Sequence, residues 1–212
     1  MSERRRLEEQ LTRQAYSDPL TGLANRAVFR SRVEEALTSA TVGTVAVLFL
    51  DLDGFKGAND RYGHGVGDVL LSTTARRLER CVRRTDLVAR FGGDEFTILL
   101  CGLNAKHAPL RVANACVAAM KVPFRIDGND VRISASVGVA LFPDHGGNVE
   151  ALVAAADRAM YEAKRAGGSR VQLIASPPRA KKPRPVKASD ATGRRATKAP
   201  AGPGRTASRR RG

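Results

Sequence analysis

The sequence is poor in cysteine, lacks tryptophan and contains no long apolar run. Only 3 of its 212 residues are cysteines, they lie far apart, and no two of them form a C-x-x-C pair. This spacing argues against a disulfide framework or a zinc site and favours reduced core thiols. No run approaches the roughly 18 apolar residues that a membrane span needs, and the charged N-terminus lacks the apolar region of a signal peptide. We therefore expect a cytoplasmic protein.

Acidic residues are nearly absent from the C-terminal end, where basic residues are concentrated. Residues 176–212 contain twelve Lys or Arg and one acid, Asp190, which gives a net charge of +11. The whole chain carries +15, so residues 1–175 carry only +4. Because the tail cannot bury enough apolar surface to fold, we expect it to be disordered. Two interpretations of the tail stay open: a solvated extension, or a weak, salt-sensitive tether to nucleic acid or an anionic membrane.

The rest of the chain is predicted to hold one domain. Residues 18–175 contain enough apolar material for one ordinary core, since 42% of the sequence is hydrophobic. Residues 1–17 show the four-residue apolar spacing of a short amphipathic helix. Asp18 and Arg26 lie on either side of a Pro-Gly turn, and we expect a structural ion pair between them.

The order of predicted elements indicates an α/β (α+β) fold. A buried strand is predicted at 44–52 because this run is almost continuously apolar. A helix is expected from just after Asp68 to about Arg83, and a single strand over 131–141. The full order is helix, strand, helix, two strands, helix, strands, helix, strand. It predicts a mixed sheet flanked by helices, with an antiparallel hairpin beside a parallel core.

The stretch Arg90–Phe96 has the pattern of a β-hairpin. Apolar runs at 87–89 and 96–100 are joined by a glycine pair and two acids, Asp94 and Glu95. Tight hairpin turns favour residues that tolerate positive φ, which explains the glycines. Two adjacent carboxylates at such a tip could simply form a solvated turn.

A second acidic strand end, at Asp51 and Asp53, favours a functional interpretation. If the two strand ends are neighbours, their carboxylates repel each other unless a cation lies between them. Oxygen ligands of this kind favour Mg²⁺ or Mn²⁺ bridged to phosphates. Gly54 allows close backbone approach and Lys56 follows it, which suits phosphate binding. Two metals there could activate an attacking hydroxyl and neutralise a leaving pyrophosphate.

Two polar residues farther along are suited to reading a base. Asn59 and Asp68 follow the acidic strand end and precede an apolar helical pattern. A carboxylate can accept from both N–H groups on the edge of guanine, which adenine lacks. The sequence therefore favours guanine as the base.

Six motifs in order resemble the GGDEF domain family, the diguanylate cyclases, along residues 18–174. They are DPLTGLANR (18–26), DLDGFKGANDRYGHGVGD (51–68), RRTD (83–86), FGGDEF (91–96), SVGVALFP (136–143) and ADRAMYEAK (156–164). The resemblance implies a palm-like central mixed β-sheet, similar to the catalytic domains of nucleotide cyclases. It also implies condensation of two GTP into cyclic di-GMP with release of two pyrophosphates.

The resemblance implies a role for each matching residue. Asp51, the Leu52 carbonyl and Asp94 match the ligands of two Mg²⁺ or Mn²⁺ ions per half-site. Asp94 also stands for the base that deprotonates the 3′-hydroxyl, Lys56 for the residue that steadies the phosphates, and Glu95 for a group that positions the nucleophile. The residues implied to bind the nucleotide are Phe55, Asn59, His64, Asp68, Gly92, Gly93 and Lys164.

The resemblance also implies partners. Each domain would be half an enzyme that holds one GTP, so catalysis requires a homodimer. Arg83 and Asp86 match the family's inhibitory site for cyclic di-GMP, although the counterpart of its second arginine falls near Ala115. A charged helix end explains the same two residues without a ligand.

One departure from the family pattern and one different function leave alternatives open. The family often has Arg where this chain has Gly168, and Arg165 or Arg170 could substitute for it. A different function is a catalytically weak or silent module that binds GTP or cyclic di-GMP and acts through protein contacts or the basic tail.

Overall fold

The computed structural model of the chain describes residues 16–39, 45–103, 105 and 107–175. The expected helix within residues 1–17, except for its last two residues, and the basic tail at 176–212 lie outside the described residues. The helices are α1 Arg26–Ser39, α2 Phe55–Tyr62, α3 His64–Cys81, α4 Ala108–Lys121 and α5 Val149–Arg165. The strands are β1 Ala46–Asp53, β2 Leu87–Gly92, β3 Glu95–Leu100, β4 Phe124–Ile126, β5 Asn129–Val131, β6 Ser134–Leu141 and β7 Val171–Leu173.

A five-stranded sheet with β1 at its centre organises these elements. The strand order is β2-β3-β1-β6-β7, and β4 pairs with β5 in a separate small sheet. The mixed sheet flanked by helices is confirmed, but the expected parallel core was wrong. Strand β1 pairs antiparallel with both β3 and β6, and among the strands of the described residues only β6 and β7 run parallel.

Each face of the sheet packs against a different pair of helices. Leu48 and Leu50 of β1 lie in a buried cluster with residues of α3 and α4, whereas Val47 and Phe49 lie in a cluster with residues of α1 and α5. Because side chains alternate along a strand, Asp51 belongs to the face that α1 and α5 cover. The end of β1 therefore presents a carboxylate beside the C-terminal turn of α5.

Helix α5 lies unusually close to the sheet at Gly138 of β6. A Cβ atom at this position would lie 1.9 Å from the carbonyl oxygen of Ala156 and 2.2 Å from the amide nitrogen of Met160. Both are backbone atoms of α5, so the approach depends on the missing side chain. This contact sets the distance between α5 and the strand ends.

Several predicted boundaries were wrong. The segment Phe55–Tyr62 forms a helix that the sequence did not predict, and α3 begins earlier than expected, at His64. The expected strand over 131–141 divides into β5 and β6. None of the helices among the described residues combines the length and apolarity required to cross a membrane.

Candidate active site

The end of β1 and the β2–β3 hairpin bring acidic residues together. Asp51 lies opposite Glu95 in the register of β1 and β3. The backbone N–H of Leu52 donates to the carbonyl oxygen of Asp94 at 3.3 Å. The hairpin expected between 87 and 100 is thus present, and its two carboxylates lie beside the strand that ends in Asp51 and Asp53.

Asp51 is the most enclosed of these acids. It is 7% exposed, and its Oδ1 forms an ion pair with Nζ of Lys164 at 2.5 Å. Burial raises the pKa of the Asp51 carboxyl, and the charges of Asp94 and Asp53 raise it further, while Lys164 opposes the rise. One ammonium group therefore compensates a buried carboxylate that has two further acids close by.

Glu95 experiences the same accumulation of negative charge. Burial comes first among the causes that raise the pKa of its carboxyl, and the charges of Asp51 and Asp157 follow. Asp157 lies about two turns before Lys164 on α5, so this helix supplies both an acidic and a basic residue to the site. A cation bound here would relieve the repulsion between the carboxylates.

The donor set suits a hard divalent cation held by few protein ligands. Asp51 and Asp94 offer carboxylate oxygens. Leu52, which follows Asp51 and lies beside Asp94, offers its backbone carbonyl oxygen. Within 16–39, 45–103 and 107–175, no three His, Cys, Asp or Glu side chains gather as a metal-binding group. Mg²⁺ commonly binds through one or two carboxylates and completes its shell with water and substrate phosphates. The residues present therefore fit such an ion when a phosphate substrate is bound.

Asp53 has a structural role that its position beside Asp51 did not reveal. Its carboxylate accepts from Ser134 Oγ at 3.0 Å, from Ser136 Oγ at 2.8 Å and from the backbone N–H of Ser169 at 2.9 Å. It thereby connects β1, β6 and the loop after α5. The signal in the sequence was the alternate pair Ser134 and Ser136 on a strand that could face Asp53.

A pocket of about 510 Å³ opens beside these acids. Its lining residues are Leu52, Asp53, Gly54, Phe55, Lys56, Asp94, Ser134, Lys164, Gly167 and Gly168. Gly54 adopts φ 86° where β1 turns into α2, a conformation that favours glycine. Two lysines and the exposed backbone of this turn make the pocket suitable for phosphate groups.

The residues predicted to read a base lie on α2 and α3. His64 and Asp68 are exposed in the first turns of α3, and Asn59 is half-buried on α2. Oδ1 of Asn59 is buried and has no hydrogen-bond partner among the described residues. A Cβ at Gly67 would lie 1.8 Å from this oxygen. Gly67 therefore makes room for the Asn59 side chain, which is a role that sequence reasoning missed.

Arg90 holds the hairpin tip in place. Its Nε and Nη2 donate to the carbonyl oxygen of Gly93 at 3.0 and 2.8 Å, and its Nη1 donates to Asp18 Oδ2 at 3.1 Å. The expected ion pair of Asp18 with Arg26 was wrong, because Arg26 lies over the ring of Phe91 at 4.5 Å. Burial acts to raise the pKa of Asp18, but hydrogen bonds from Thr21 and Arg90 outweigh it and lower the pKa.

The predicted product-site residues lie at a separate pocket. Arg83 is exposed, and its backbone N–H donates to Asp86 Oδ2 at 2.9 Å. Both residues line a pocket of about 360 Å³ together with Arg84. Asp86 also accepts from the N–H of Cys101 at 3.4 Å, so its carboxylate stabilises the turn before β2. The ligand of this pocket stays a prediction.

Gly168 lies in the loop after α5, beside the carboxylate of Asp53. Gly168 adopts φ +69°, and a Cβ there would lie 3.2 Å from Asp53 Oδ2. Nε of Arg170 donates to the Gly168 carbonyl oxygen at 3.2 Å. The Arg170 guanidinium therefore lies beside Gly168, a residue that lines the pocket.

Comparisons with known proteins agree with this geometry. A family model described as "Diguanylate cyclase, GGDEF domain" matches residues 15–170. Diguanylate cyclase TpbB of Pseudomonas aeruginosa is 47% identical over 164 residues, which cover 76% of this chain and 38% of that protein. The crystal structure of the TpbB GGDEF domain matches with a TM-score of 0.72 and 43% identity, covering 74% of this chain and 99% of that chain.

Two further relatives differ in what their names state. Cyclic di-GMP phosphodiesterase PdeR of Escherichia coli K12 is 39% identical over 167 residues, which cover 79% of this chain and 25% of that protein. The coiled coil and GGDEF domain of DgcB from Caulobacter crescentus, solved in complex with c-di-GMP, matches with a TM-score of 0.71 and 29% identity. That match covers 80% of this chain and 91% of the DgcB chain. The chain thus spans well under half the length of the curated relatives it matches.

Proposed function

Because the chain belongs to the GGDEF domain family of diguanylate cyclases, we propose that it condenses two GTP into cyclic di-GMP and releases two pyrophosphates. The observation that carries the proposal is the position of buried Asp51 beside the hairpin acids Asp94 and Glu95. The pocket next to them contains Lys56 and Lys164, which match the charge of a triphosphate. The name of TpbB agrees with this activity.

The residues of the chain have distinct tasks in the proposed reaction. Lys56 and Lys164 bind the phosphates, and Asn59 and Asp68 read the guanine edge. Asp94 accepts the proton of the 3′-hydroxyl that attacks the α-phosphate of the second GTP, and Glu95 positions this hydroxyl. Phe55, His64, Gly92 and Gly93 complete the nucleotide site. Asp51, Asp94 and the Leu52 carbonyl would hold two Mg²⁺ or Mn²⁺ ions, which when bound would supply charge neutralisation and favour ionisation of the attacking hydroxyl.

The proposed reaction joins two GTP molecules, so we propose that two copies of the chain face each other as a homodimer. The pocket of about 510 Å³ is open at the surface formed by the strand ends and α2. A volume of this size lies within the usual range for a pocket that binds one small-molecule ligand. We also propose a cytoplasmic protein, in which cyclic di-GMP binds at Arg83 and Asp86 as an inhibitor.

The alternative is a silent module that binds GTP or cyclic di-GMP and acts through protein contacts or the basic tail. One observation favours considering it: PdeR, a relative named for phosphodiesterase activity, shares 39% identity with this chain. A matching segment therefore also occurs in proteins named for the opposite reaction. The acidic positions are intact in this chain, so we favour the active cyclase.

Incubation of the purified chain with GTP and Mg²⁺, followed by chromatography and mass spectrometry, tests the proposal. We expect cyclic di-GMP and two pyrophosphates for each product molecule, at a rate per chain that rises with protein concentration. Binding of GTP without turnover at every concentration would contradict the cyclase and support the silent module. Absence of binding to both GTP and cyclic di-GMP would contradict both.

The substitution Gly67→Ala tests how Asn59 is positioned. The added methyl would lie 1.8 Å from Asn59 Oδ1 and must displace this side chain. We expect GTP affinity to fall about tenfold, since the loss of one hydrogen bond to the base and the strain both weaken binding. The measurement is a calorimetric titration with GTP. Gly65→Ala is the matched control, because nothing lies within 4 Å of a Cβ there. Equal affinities for the two variants would contradict the role of Gly67.

The substitution Arg170→Ala tests which cation replaces the family's arginine. Its Nε donates to the carbonyl oxygen of Gly168, which lines the pocket. We expect the KM for GTP to rise about fivefold with little change in kcat, a modest effect because the group is exposed to solvent. Arg165→Ala is the control and should leave KM unchanged. A larger effect of Arg165→Ala would assign the role to the other arginine.

A further inference from the structure

The two carboxylates at the end of β1 are compensated in different ways. Asp53 accepts hydrogen bonds from two serine hydroxyls of β6 and from a backbone N–H in the loop after α5. Oδ1 of Asp51 is buried and accepts no hydrogen bond of regular geometry from the described residues. Its positive partner is Nζ of Lys164, at 2.5 Å. Asp53 is thus held by fixed donors of the fold, whereas Asp51 depends on the charge of one long side chain.

Lys164 has access to more than one partner. It lies in the last turn of α5, and its side chain is 36% exposed, compared with 10% for that of Asp51. It also lines the pocket of about 510 Å³ together with Asp94 and Lys56. A lysine ammonium is a compact charge on a flexible stem and binds phosphate as a point charge. The ammonium can therefore pass from Asp51 to a phosphate in this pocket while α5 stays packed on β6.

The carboxylate that Lys164 holds is also the one that the proposed reaction assigns to a divalent cation. Asp51 is 7% exposed, so charges beside it are poorly screened by water. An ammonium and a divalent cation on the same carboxylate repel each other strongly in such surroundings. A buried carboxylate with no cation at all is also costly. The ammonium and the metal ion are therefore alternative partners of Asp51.

We propose that Lys164 is an exchangeable counter-ion: its ammonium holds Asp51 until a divalent cation displaces it, and it then binds the phosphates of the substrate. The inference rests on the proposed function, which supplies both the metal ion and the phosphates. The metal ion releases the ammonium for the phosphates, and the phosphates draw the ammonium away from Asp51. Each ligand therefore strengthens the binding of the other, and the coupling is the same in both directions.

Metal binding without nucleotide tests the exchange. The substitution Lys164→Met removes the ammonium and keeps an unbranched side chain. Electron paramagnetic resonance measures how much Mn²⁺ the full chain binds when no GTP is present. We expect Mn²⁺ to bind Lys164→Met about tenfold more tightly than the original chain, because no ammonium has to be displaced. Equal or weaker binding by the variant, or no binding by either protein, would overturn the proposal.

Two further variants separate this exchange from a general change of charge. Arg165→Met removes the neighbouring positive charge at the end of α5, from a residue that does not line the pocket. It should change Mn²⁺ affinity by less than about twofold, because exposed charges are screened. Lys164→Arg keeps a cation at the position and should bind Mn²⁺ as weakly as the original chain. A tenfold gain in either variant would contradict a specific displacement of the Lys164 ammonium.

A measurement on the original chain decides the proposal if Lys164→Met fails to fold. Acetylation of amines, followed by mass mapping, reports how firmly each ammonium is engaged. Saturating Mg²⁺ without GTP should speed the acetylation of Lys164 about threefold, because an amine that has lost its carboxylate partner gives up its proton more readily. Lys121, which ends α4 and does not line the pocket, is the internal reference. An unchanged ratio of the two rates would overturn the proposal.

These experiments separate the role of Lys164 from the proposed function. Neither measurement contains GTP or depends on turnover, so both can succeed for a silent module that never forms cyclic di-GMP. Conversely, synthesis of cyclic di-GMP by the original chain, together with equal Mn²⁺ affinities of the original chain and Lys164→Met, would retain the cyclase and reject the counter-ion.

Discussion

The Asp94→Asn variant is expected to lose cyclic di-GMP synthesis by about a thousandfold or more, because one residue supplies both the proposed metal ligand and the proposed base. The amide is close in size to the carboxylate, and the Asp94 backbone carbonyl still accepts from Leu52 N–H. The hairpin should therefore fold normally. Product formation from GTP and Mg²⁺, measured by chromatography, is the readout.

Asp127→Asn is the matched control for this loss. Asp127 is exposed in the turn between β4 and β5 and has φ 49°, which asparagine tolerates well. The control removes the same charge away from the pocket and should retain full activity. Substantial synthesis by Asp94→Asn, with the fold verified by circular dichroism, would contradict the proposed role of this carboxylate.

The largest effect on stability is expected from Gly138→Ala. The new methyl group would lie 1.9 Å from the Ala156 carbonyl oxygen and 2.2 Å from the Met160 nitrogen. Both neighbours are backbone atoms of a packed helix, so α5 must move away from β6. We expect the free energy of unfolding to fall by about 3 kcal/mol, at the upper end of what overpacking costs. Chemical denaturation of the purified variant measures this change.

Gly57→Ala is the control for the added methyl. Gly57 lies within α2, and nothing lies within 4 Å of a Cβ at this position. Alanine there should leave stability unchanged or raise it by up to about 1 kcal/mol, because alanine favours the helix. Equal stabilities of the Gly138→Ala and Gly57→Ala variants would mean that α5 can shift without cost.

The elements with a strong local pattern could be predicted from the sequence. Strand β1 is a continuous apolar run, and the glycine pair marked the hairpin between β2 and β3. The direction of pairing could not be predicted, because an apolar run suits a parallel or an antiparallel neighbour equally. Helix α2, Phe55–Tyr62, was missed because its eight residues are too few to show a helical apolar period.

The acids of the candidate site were found because they end two strands that could be neighbours. Spacing along the chain could not separate their tasks, however. Asp51 and Asp53 are two residues apart and point to the same face, yet one is ion-paired with Lys164 and the other accepts from three donors. The difference depends on serines and a lysine that lie more than eighty residues away, and no local pattern encodes that distance.

Arg90 and Gly67 were missed for a similar reason. Each acts on another residue through a contact made only in the folded chain: Arg90 on the Gly93 carbonyl and Gly67 on Asn59. The arginine directly before Phe-Gly-Gly was visible in the sequence, but its partner Asp18 is 72 positions away. Such pairings follow from tertiary packing and not from propensity.

The guanidinium of Arg90 connects Asp18, near the start of the described residues, to Gly93 at the hairpin tip. Asp18 and the Gly93 carbonyl both accept hydrogen bonds from this planar, rigid group. In the ion pair, the side chains of Arg90 and Asp18 are only 14% and 18% exposed. A twist applied to the backbone at Asp18 must either move the Gly93 carbonyl with it or break charge-assisted hydrogen bonds, which costs about 1.5–3 kcal/mol. A twist at Asp18 can therefore reach the residue next to Asp94 through the Arg90 side chain.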